Sequence, residues 1–183
     1  WVSLFQQYEY KTPSLSLFTS ISATNTAYKR IDYFKLPEEQ ETNWKWISGY
    51  SMKTGINKNL DEYNNIFMNL GHMSKAPKFN NVYHYDNTLY KLINNEFIYA
   101  IEGGYSLRLN NFSANVNTYY TIWENKPKVG GIRIEIEEES YRANVNGMDA
   151  LHKGIEFDFA YQPQYNLTLE GLISLGDWRW NSN

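Results

Sequence analysis

The most constraining feature of this sequence is a strict alternation of apolar and polar residues over segments longer than most strands. In the segment that begins at Gly154, for example, Phe157 and Phe159 alternate with Glu156 and Asp158. A period of two puts successive side chains on opposite faces of a β-strand. No stretch keeps the i, i+3, i+4, i+7 spacing of an amphipathic helix over several turns. The pattern therefore predicts an all-β protein built of antiparallel strands.

The alternating segments number about eight, form four hairpins, and are joined by alternately short and long connections. The predicted strands are Val2–Tyr10, a return strand that starts at Ser14–Leu17, Trp44–Ile56, Asn65–His72, Phe97–Leu109, Phe112–Trp123, Gly154–Tyr161 and Leu167–Trp180. Because proline cannot continue a ladder and asparagine tolerates a positive φ, short turns are predicted at Lys11–Pro13, Asn57–Asn64, Asn110–Asn111 and Gln162–Asn166. Antiparallel pairing then requires all the short turns to lie at one end of the sheet.

Longer polar loops are predicted near Lys35–Asn43, Lys75–Asn95 and Lys126–Asn146. The acidic run Glu135–Glu139 follows alternating isoleucines, so we interpret it as the outward extension of a hairpin. These three loops are the candidates for ligand contact. The individual residues predicted to bind a ligand are Lys75, Lys78, His84, Tyr85 and Asp86.

Alternation by itself also fits a soluble β-sandwich, so three further features decide between the two folds. Charges stand in mid-strand at Glu102, Asp158 and Glu170, the strands are longer than the usual five or six residues, and the connections are asymmetric. All three are typical of an up-and-down transmembrane β-barrel. Aromatic residues make up 17% of the chain and cluster near predicted strand ends. They are expected to form interfacial girdles and are Tyr8, Tyr10, Trp44, Trp46, Trp123, Tyr161, Tyr165, Trp178 and Trp180.

The period of two also assigns residues to the two walls of such a barrel. The residues predicted to face lipid are Val116, Ile155, Phe157, Phe159 and Leu169. The residues predicted to face a water-filled lumen are Glu102, Arg108, Asn115, Asn117, Glu156, Asp158 and Glu170. The polar face is assigned to the lumen because an unpaired carboxylate in hydrocarbon would raise the free energy of the folded protein, whereas water in the lumen solvates it.

Several classes of function find no support in the composition. The formal net charge is −3, which does not favour a nucleic-acid partner. There is no cysteine for a disulfide framework or a thiolate metal site, and the three histidines, His72, His84 and His152, are widely spaced. The acidic residues are not paired with a nucleophile. We therefore predict no catalytic residue, no resident metal and no cofactor.

Motifs from Gly71 onward add a resemblance to a known family. The stretches Gly71–Tyr83, Asn94–Tyr105, Gly147–Glu156 and Tyr161–Gly171 follow one another in the order seen in the barrels of TonB-dependent outer-membrane receptors of the Bacteroidota type, which they resemble. The stretch from Gly71 is similar to that family's strand end of a basic residue, Ala, Pro and an aromatic. The stretch from Gly147 is similar to its Lys-Gly-x-Glu strand start. The resemblance covers nearly the whole chain.

The resemblance implies an outer-membrane location and a barrel of about 22 strands filled by a plug domain. The plug, the TonB box and the terminal aromatic strand are absent from residues 1–183, so the chain is expected to be a partial barrel domain. It implies energy-coupled uptake of a metal chelate, a cofactor or a glycan. The implied partners are outer-membrane lipid, the TonB–ExbB–ExbD motor, a small nutrient and a surface lipoprotein.

Three other functions stay open at this point. A passive porin-like channel shares the architecture, and a soluble β-sandwich that binds a ligand shares the alternation. An outer-membrane enzyme has the least support. The sequence alone does not name the ligand.

Overall fold

The computed structural model describes residues 1–84, 86–136 and 139–181, and the side chains of these residues outside 128–146. It contains one antiparallel sheet in which the eight strands lie in chain order. The strands are β1 (Val2–Lys11), β2 (Leu15–Tyr28), β3 (Lys45–Asn59), β4 (Asn64–Lys75), β5 (Glu96–Arg108), β6 (Phe112–Ile136), β7 (Glu139–Gln164) and β8 (Leu167–Trp180). Two three-residue 3₁₀ segments, Pro37–Glu39 and Phe79–Asn81, lie in the loops. The all-β, up-and-down prediction is confirmed.

Each strand pairs antiparallel with its neighbours in the chain, so the connections alternate between the two ends of the sheet. We call one end the turn end; it holds the short connections 12–14, 60–63, 109–111 and 165–166. The other end is the loop end, where the long connections 29–44 and 76–95 lie. Among the described residues, no helix is long and apolar enough to cross a membrane.

One prediction about the connections is wrong. The segment Lys126–Asn146 is not a loop where the structure describes it, because β6 continues to Ile136 and β7 begins at Glu139. Pro127 and Gly130–Gly131 interrupt the alternation, and register shifts between Trp123 and Ile132 absorb them as bulges. The short turn predicted at Asn110–Asn111 is present between β5 and β6, but it forms without a positive φ, since Asn87 and Asn125 are the only non-glycine residues with one in the described part of the chain.

The register gives the sheet two chemically different faces. The apolar face carries in its middle the side chains of Leu17, Ile21, Met52, Ile56, Met68, Leu70, Ile101, Val116, Ile155, Phe157, Leu169 and Ile173. The polar face carries Ser20, Lys53, Asn57, Asn69, Glu102, Ser106, Asn115, Asn117, Glu156, Asp158 and Ser174. No described segment covers the middle of the apolar face, where Leu70 and Ile101 on the central strands are 44% and 41% exposed.

Candidate functional site

The two long loops fold together into one packed lobe at the loop end. Val82 and Tyr83 from the β4–β5 loop bury themselves against Ile47 of β3, with Tyr28 and Phe79 packed around them. Ile47 and Tyr28 share the register positions of the polar face. The lobe therefore lies over the polar face of β2 and β3, and we call it the loop lobe.

Hydrogen bonds between distant residues fasten the loop lobe. The Tyr83 hydroxyl lies 3.1 Å from the carbonyl oxygen of Tyr28 and 2.9 Å from that of Asn43. The Tyr28 hydroxyl donates to the carbonyl of Pro77 at 2.9 Å. The Asn87 side-chain amide donates to the carbonyl of Glu39 at 2.8 Å. Because each bond joins different connections or strands, the two loops hold one another in place.

A cleft of about 590 Å³ separates the two loops within this lobe. Its lining mixes charges of both signs with two large aromatic residues, and includes Lys35, Glu41, Trp44, Lys45, Tyr83, Asp86 and Thr88. The Lys35 ammonium donates to the backbone carbonyl of Asp86 at 2.7 Å across the cleft. This arrangement suits a polar ligand that presents both donors and acceptors.

The five residues predicted to bind a ligand do not form one site. Asp86 lines the cleft. His84 packs its ring against Tyr90 beside it, with ring centroids 3.5 Å apart. Lys75 is the last residue of β4 rather than part of a loop, and Lys78 is exposed before the 3₁₀ segment. Tyr85 lies outside the described residues.

Asp86 has an ionised carboxyl group held by its neighbour Thr88. The Thr88 hydroxyl donates to Asp86 Oδ1 at 2.6 Å, and the Thr88 amide donates to the same oxygen at 3.0 Å. These bonds favour the charged form and lower the pKa of Asp86, the hydroxyl contributing most. The cleft therefore keeps a negative charge at neutral pH. Lys35, Glu41 and Trp44 were missed as individual residues because loop contacts have no periodicity that a sequence could display.

The seven residues predicted to face the lumen all lie on the polar face. Three of them accept hydrogen bonds from side chains on neighbouring strands: Asp158 from Asn115 Nδ2 at 2.7 Å, Glu156 from Ser174 Oγ at 3.3 Å, and Glu102 from Asn69 Nδ2 at 3.4 Å. Arg108 lies near the turn end, beside a polar recess of about 450 Å³. In the part of the chain that the structure describes, no three His, Asp or Glu side chains are placed to hold a metal ion.

The prediction that all the strand-end aromatics form girdles is wrong for three tryptophans. Tyr8, Tyr10, Trp46 and Tyr161 share the register of the apolar face. The three tryptophans Trp123, Trp178 and Trp180 share the register of the polar face instead. Ala150 of β7 pairs with Trp123 of β6 on one side and with Trp180 of β8 on the other. These indoles therefore occupy the face that carries the carboxylates.

His152 lies between two of these tryptophans and joins them into one cluster. Its ring centroid is 4.4 Å from that of Trp123 and 5.9 Å from that of Trp178. The Lys126 ammonium lies 4.4 Å above the Trp123 ring. We call Trp123, His152, Trp178 and Trp180 the indole cluster. It stands at the loop end of β6–β8, on the same face as the loop lobe.

With both sites described, the chain can be compared with known proteins. No family model matches the sequence, and no curated protein is similar enough in sequence to match. The structure matches "The FrpB iron transporter from Neisseria meningitidis (F3-3 variant)" with a TM-score of 0.71 and 14% identity. It matches "Copper transporter OprC" with a TM-score of 0.75 and 13% identity.

Both matched structures are TonB-dependent transporters, and the matches cover 97% and 95% of this chain. The fold is that of part of a TonB-dependent transporter barrel. The chain spans 25% of the first neighbour's length and 29% of the second's. The resemblance read from the sequence is thereby confirmed at the level of the fold.

Proposed function

We propose that this chain forms part of the wall and surface loops of an outer-membrane barrel that imports a nutrient by energy coupling. One observation carries the proposal: a sheet of eight long strands has an uncovered apolar face and an opposite face lined with amides and carboxylates. A soluble sandwich would bury one of the two faces against a second sheet. A barrel wall needs lipid on one face and water on the other.

The length of the apolar face agrees with a membrane span. On β6 its side chains run from Phe112 to Ile122, which is roughly 33 Å along a strand that rises about 3.3 Å per residue. At a tilt of about 40° this length covers roughly 25 Å, the height of the apolar band of outer-membrane barrels. Tyr161 and Trp46 stand at opposite ends of the same face, where interfacial aromatics are expected.

Orientation in the membrane is tested with two neighbouring residues of β7. Single cysteines replace Phe157 and Asp158 in the full-length protein, within native membranes, and a water-soluble thiol reagent is added. We expect labelling at position 158 and none at position 157, because the two side chains point to opposite faces. Equal labelling, or labelling at 157 alone, would exclude the proposed wall.

Energy coupling needs a separate experiment, because a passive channel would have the same wall. A strain that lacks the gene is complemented with the full-length protein and grown with iron, copper or a neutral oligosaccharide as the limiting nutrient. Iron and copper are included because they are the cargo named for the two similar transporters. We expect a growth advantage on one nutrient that disappears when TonB is deleted. An advantage that persists without TonB would indicate passive diffusion.

The loop lobe and the indole cluster are the parts of this chain that we assign to nutrient capture. Both stand on the polar face at the loop end. We place the loop end at the cell exterior, because outer-membrane barrels have short periplasmic turns and longer extracellular loops. The motor would act through the plug, while lipid contacts the apolar face. A surface lipoprotein is a further proposed partner at the loop end.

A further inference from the structure

The indole cluster is an exposed aromatic surface on the face of the sheet that carries the carboxylates. Trp178 is 67% exposed and Trp180 is 50% exposed. Indoles that anchor a barrel at the membrane interface belong on the apolar face, so membrane anchoring does not explain these residues. An exposed apolar patch rimmed by polar groups marks a binding surface.

A pair of glycines fixes the orientation of the Trp178 ring. Gly154 and Gly176 pair directly across β7 and β8, next to Trp178. A Cβ atom added to Gly154 would come within 2.6 Å of the Tyr119 hydroxyl, so the glycine leaves room for Tyr119 to lie across the strands. Trp178 Nε1 then donates to the Tyr119 hydroxyl at 2.8 Å. The indole is held in place, and the Tyr119 hydroxyl proton remains available to a ligand.

The charges around the indole cluster restrict what can bind there. On the polar face of β6, β7 and β8, the described side chains below Trp123 include the carboxylates Glu156, Asp158 and Glu170 and no lysine or arginine. This wall repels an anion. Lys126 already covers the ring of Trp123 and disfavours a second cation at that position. A neutral ligand meets neither repulsion.

The polar groups next to the cluster are suited to hydroxyl groups. Glu156 accepts one hydrogen bond from Ser174 through Oε1, and a carboxylate has capacity for further donors. Asn117 pairs with Glu156 across the strands and offers both a donor and an acceptor. A flat apolar ring beside such acceptors complements a sugar, whose ring has an apolar CH face and hydroxyl groups at its edge.

We propose that the indole cluster binds a neutral oligosaccharide, with one sugar ring stacked on Trp178 and its hydroxyls bonded to Tyr119 and Glu156. This inference rests on the proposed function, because it requires the polar face to be in contact with water. It selects one of the nutrient classes that the fold leaves open.

The test measures binding of neutral hexasaccharides of glucose, mannose and xylose to the purified full-length protein by calorimetry. We expect at least one of them to bind, and Trp178→Ala to weaken that binding at least tenfold. Trp178→Phe restores part of the affinity because a smaller ring still stacks. Trp46→Ala is the matched control: Trp46 is 58% exposed but lies on the apolar face, so its loss leaves binding unchanged.

A charged probe and a quencher complete the test. A hexasaccharide of galacturonic acid is expected to bind more weakly than the neutral probes because of the carboxylate wall. Acrylamide should quench less fluorescence in Trp178→Phe than in the unaltered protein, because an accessible indole has been removed.

Three results would overturn the inference: no binding of any neutral hexasaccharide, equal affinity of the Trp178→Ala variant, or a Trp178 that acrylamide does not reach because another part of the protein covers it. If sugar binding fails while position 158 is labelled and 157 is not, the barrel wall stands and only the carbohydrate site is lost. If 158 is not labelled, both proposals fail.

Discussion

The loop lobe and the indole cluster lie on the same face of the sheet, but the apolar side chains are covered in the first and exposed in the second. In the loop lobe, Ile47 is covered by Val82 and Tyr83, and hydrogen bonds from Tyr83 hold the cover in place. In the indole cluster, Trp178 and Trp180 stay open although they are larger than Ile47. The difference shows that, among the described residues, the long loops cover the polar face of β2 and β3 but not that of β7 and β8.

The largest effect on this contrast is expected from a charge placed inside the loop lobe. Val82 is 0% exposed, so Val82→Asp buries a carboxylate without a partner and should destabilise the lobe by about 3–5 kcal/mol. Limited proteolysis should then cut within the loop 76–95 while the sheet remains intact. Leu92→Asp is the control in the same loop, because Leu92 is 71% exposed. Resistance of the Val82→Asp variant to protease would show that the lobe is not packed in this way.

A charge placed on the apolar face of β7, opposite the face that carries the indole cluster, should lower the free energy of unfolding somewhat less. Phe157→Arg is expected to destabilise the full-length protein by about 2–4 kcal/mol if residue 157 lies near the middle of the bilayer. Asp158→Asn should have little effect, since one hydrated group replaces another on the polar face. Urea unfolding in lipid vesicles measures both. A cost for Asp158→Asn equal to that of Phe157→Arg would contradict the assignment of the faces.

An added methyl group tests the support beneath the indole cluster. In Gly154→Ala the new Cβ would stand 2.6 Å from the Tyr119 hydroxyl and 2.7 Å from the backbone oxygen of Leu175. Because the second atom cannot move freely, we expect a loss of about 1–3 kcal/mol and a shifted tryptophan emission maximum. Gly71→Ala is the control on the same face, where the nearest atom is 3.8 Å away. Identical spectra for Gly154→Ala and the unaltered protein would show that Tyr119 does not hold Trp178.

The smallest expected effect concerns the cleft of the loop lobe. Thr88→Val removes the hydroxyl that contributes most to the lowered pKa of Asp86, so this pKa should rise toward the ordinary value. A carboxyl whose pKa is lowered by folding stabilises the folded lobe above the unfolded pKa of about 4, and this stability is lost as the pH falls through the folded value. The carbon resonance of the Asp86 carboxyl, followed against pH, measures the shift. An unchanged titration would exclude the Thr88 hydroxyl as the main cause.

Alternation within the strands was sufficient to predict the sheet and its two faces. The opposite placement of Phe157 and Asp158 follows from counting by two, and the register reproduces it. The same count would have placed Trp178 with Ser174 and Glu170, on the polar face. The girdle prediction failed for Trp123, Trp178 and Trp180 because it grouped aromatics by residue type and by position near a strand end. It did not extend the alternation of faces to the last residues of each strand.

The packing of the loop lobe could not be predicted from the sequence, for a different reason. Tyr83 bonds to backbone carbonyls 55 and 40 residues away, and a carbonyl has no residue-specific signal. The alternating isoleucines before Glu135–Glu139 predicted an outward extension of the hairpin, and the structure has β6 reaching Ile136. Its continuity with the strand before Trp123 was missed because proline and paired glycines usually interrupt a strand. A bulge accommodates both within a strand pair, and pairing resumes from Ile132.

The long hairpin of β6 and β7 has a consequence for the surroundings of the indole cluster. Pairing with β5 ends at Glu124 and pairing with β8 ends at Ala150, so residues 125–136 and 139–149 form a ribbon that stands beyond the neighbouring strands. At about 3.3 Å per residue, the ribbon extends roughly 40 Å. The indole cluster, which includes Trp123 at the base of the ribbon, is therefore bordered on one side by a strip of paired backbone that is longer than the apolar band of the sheet.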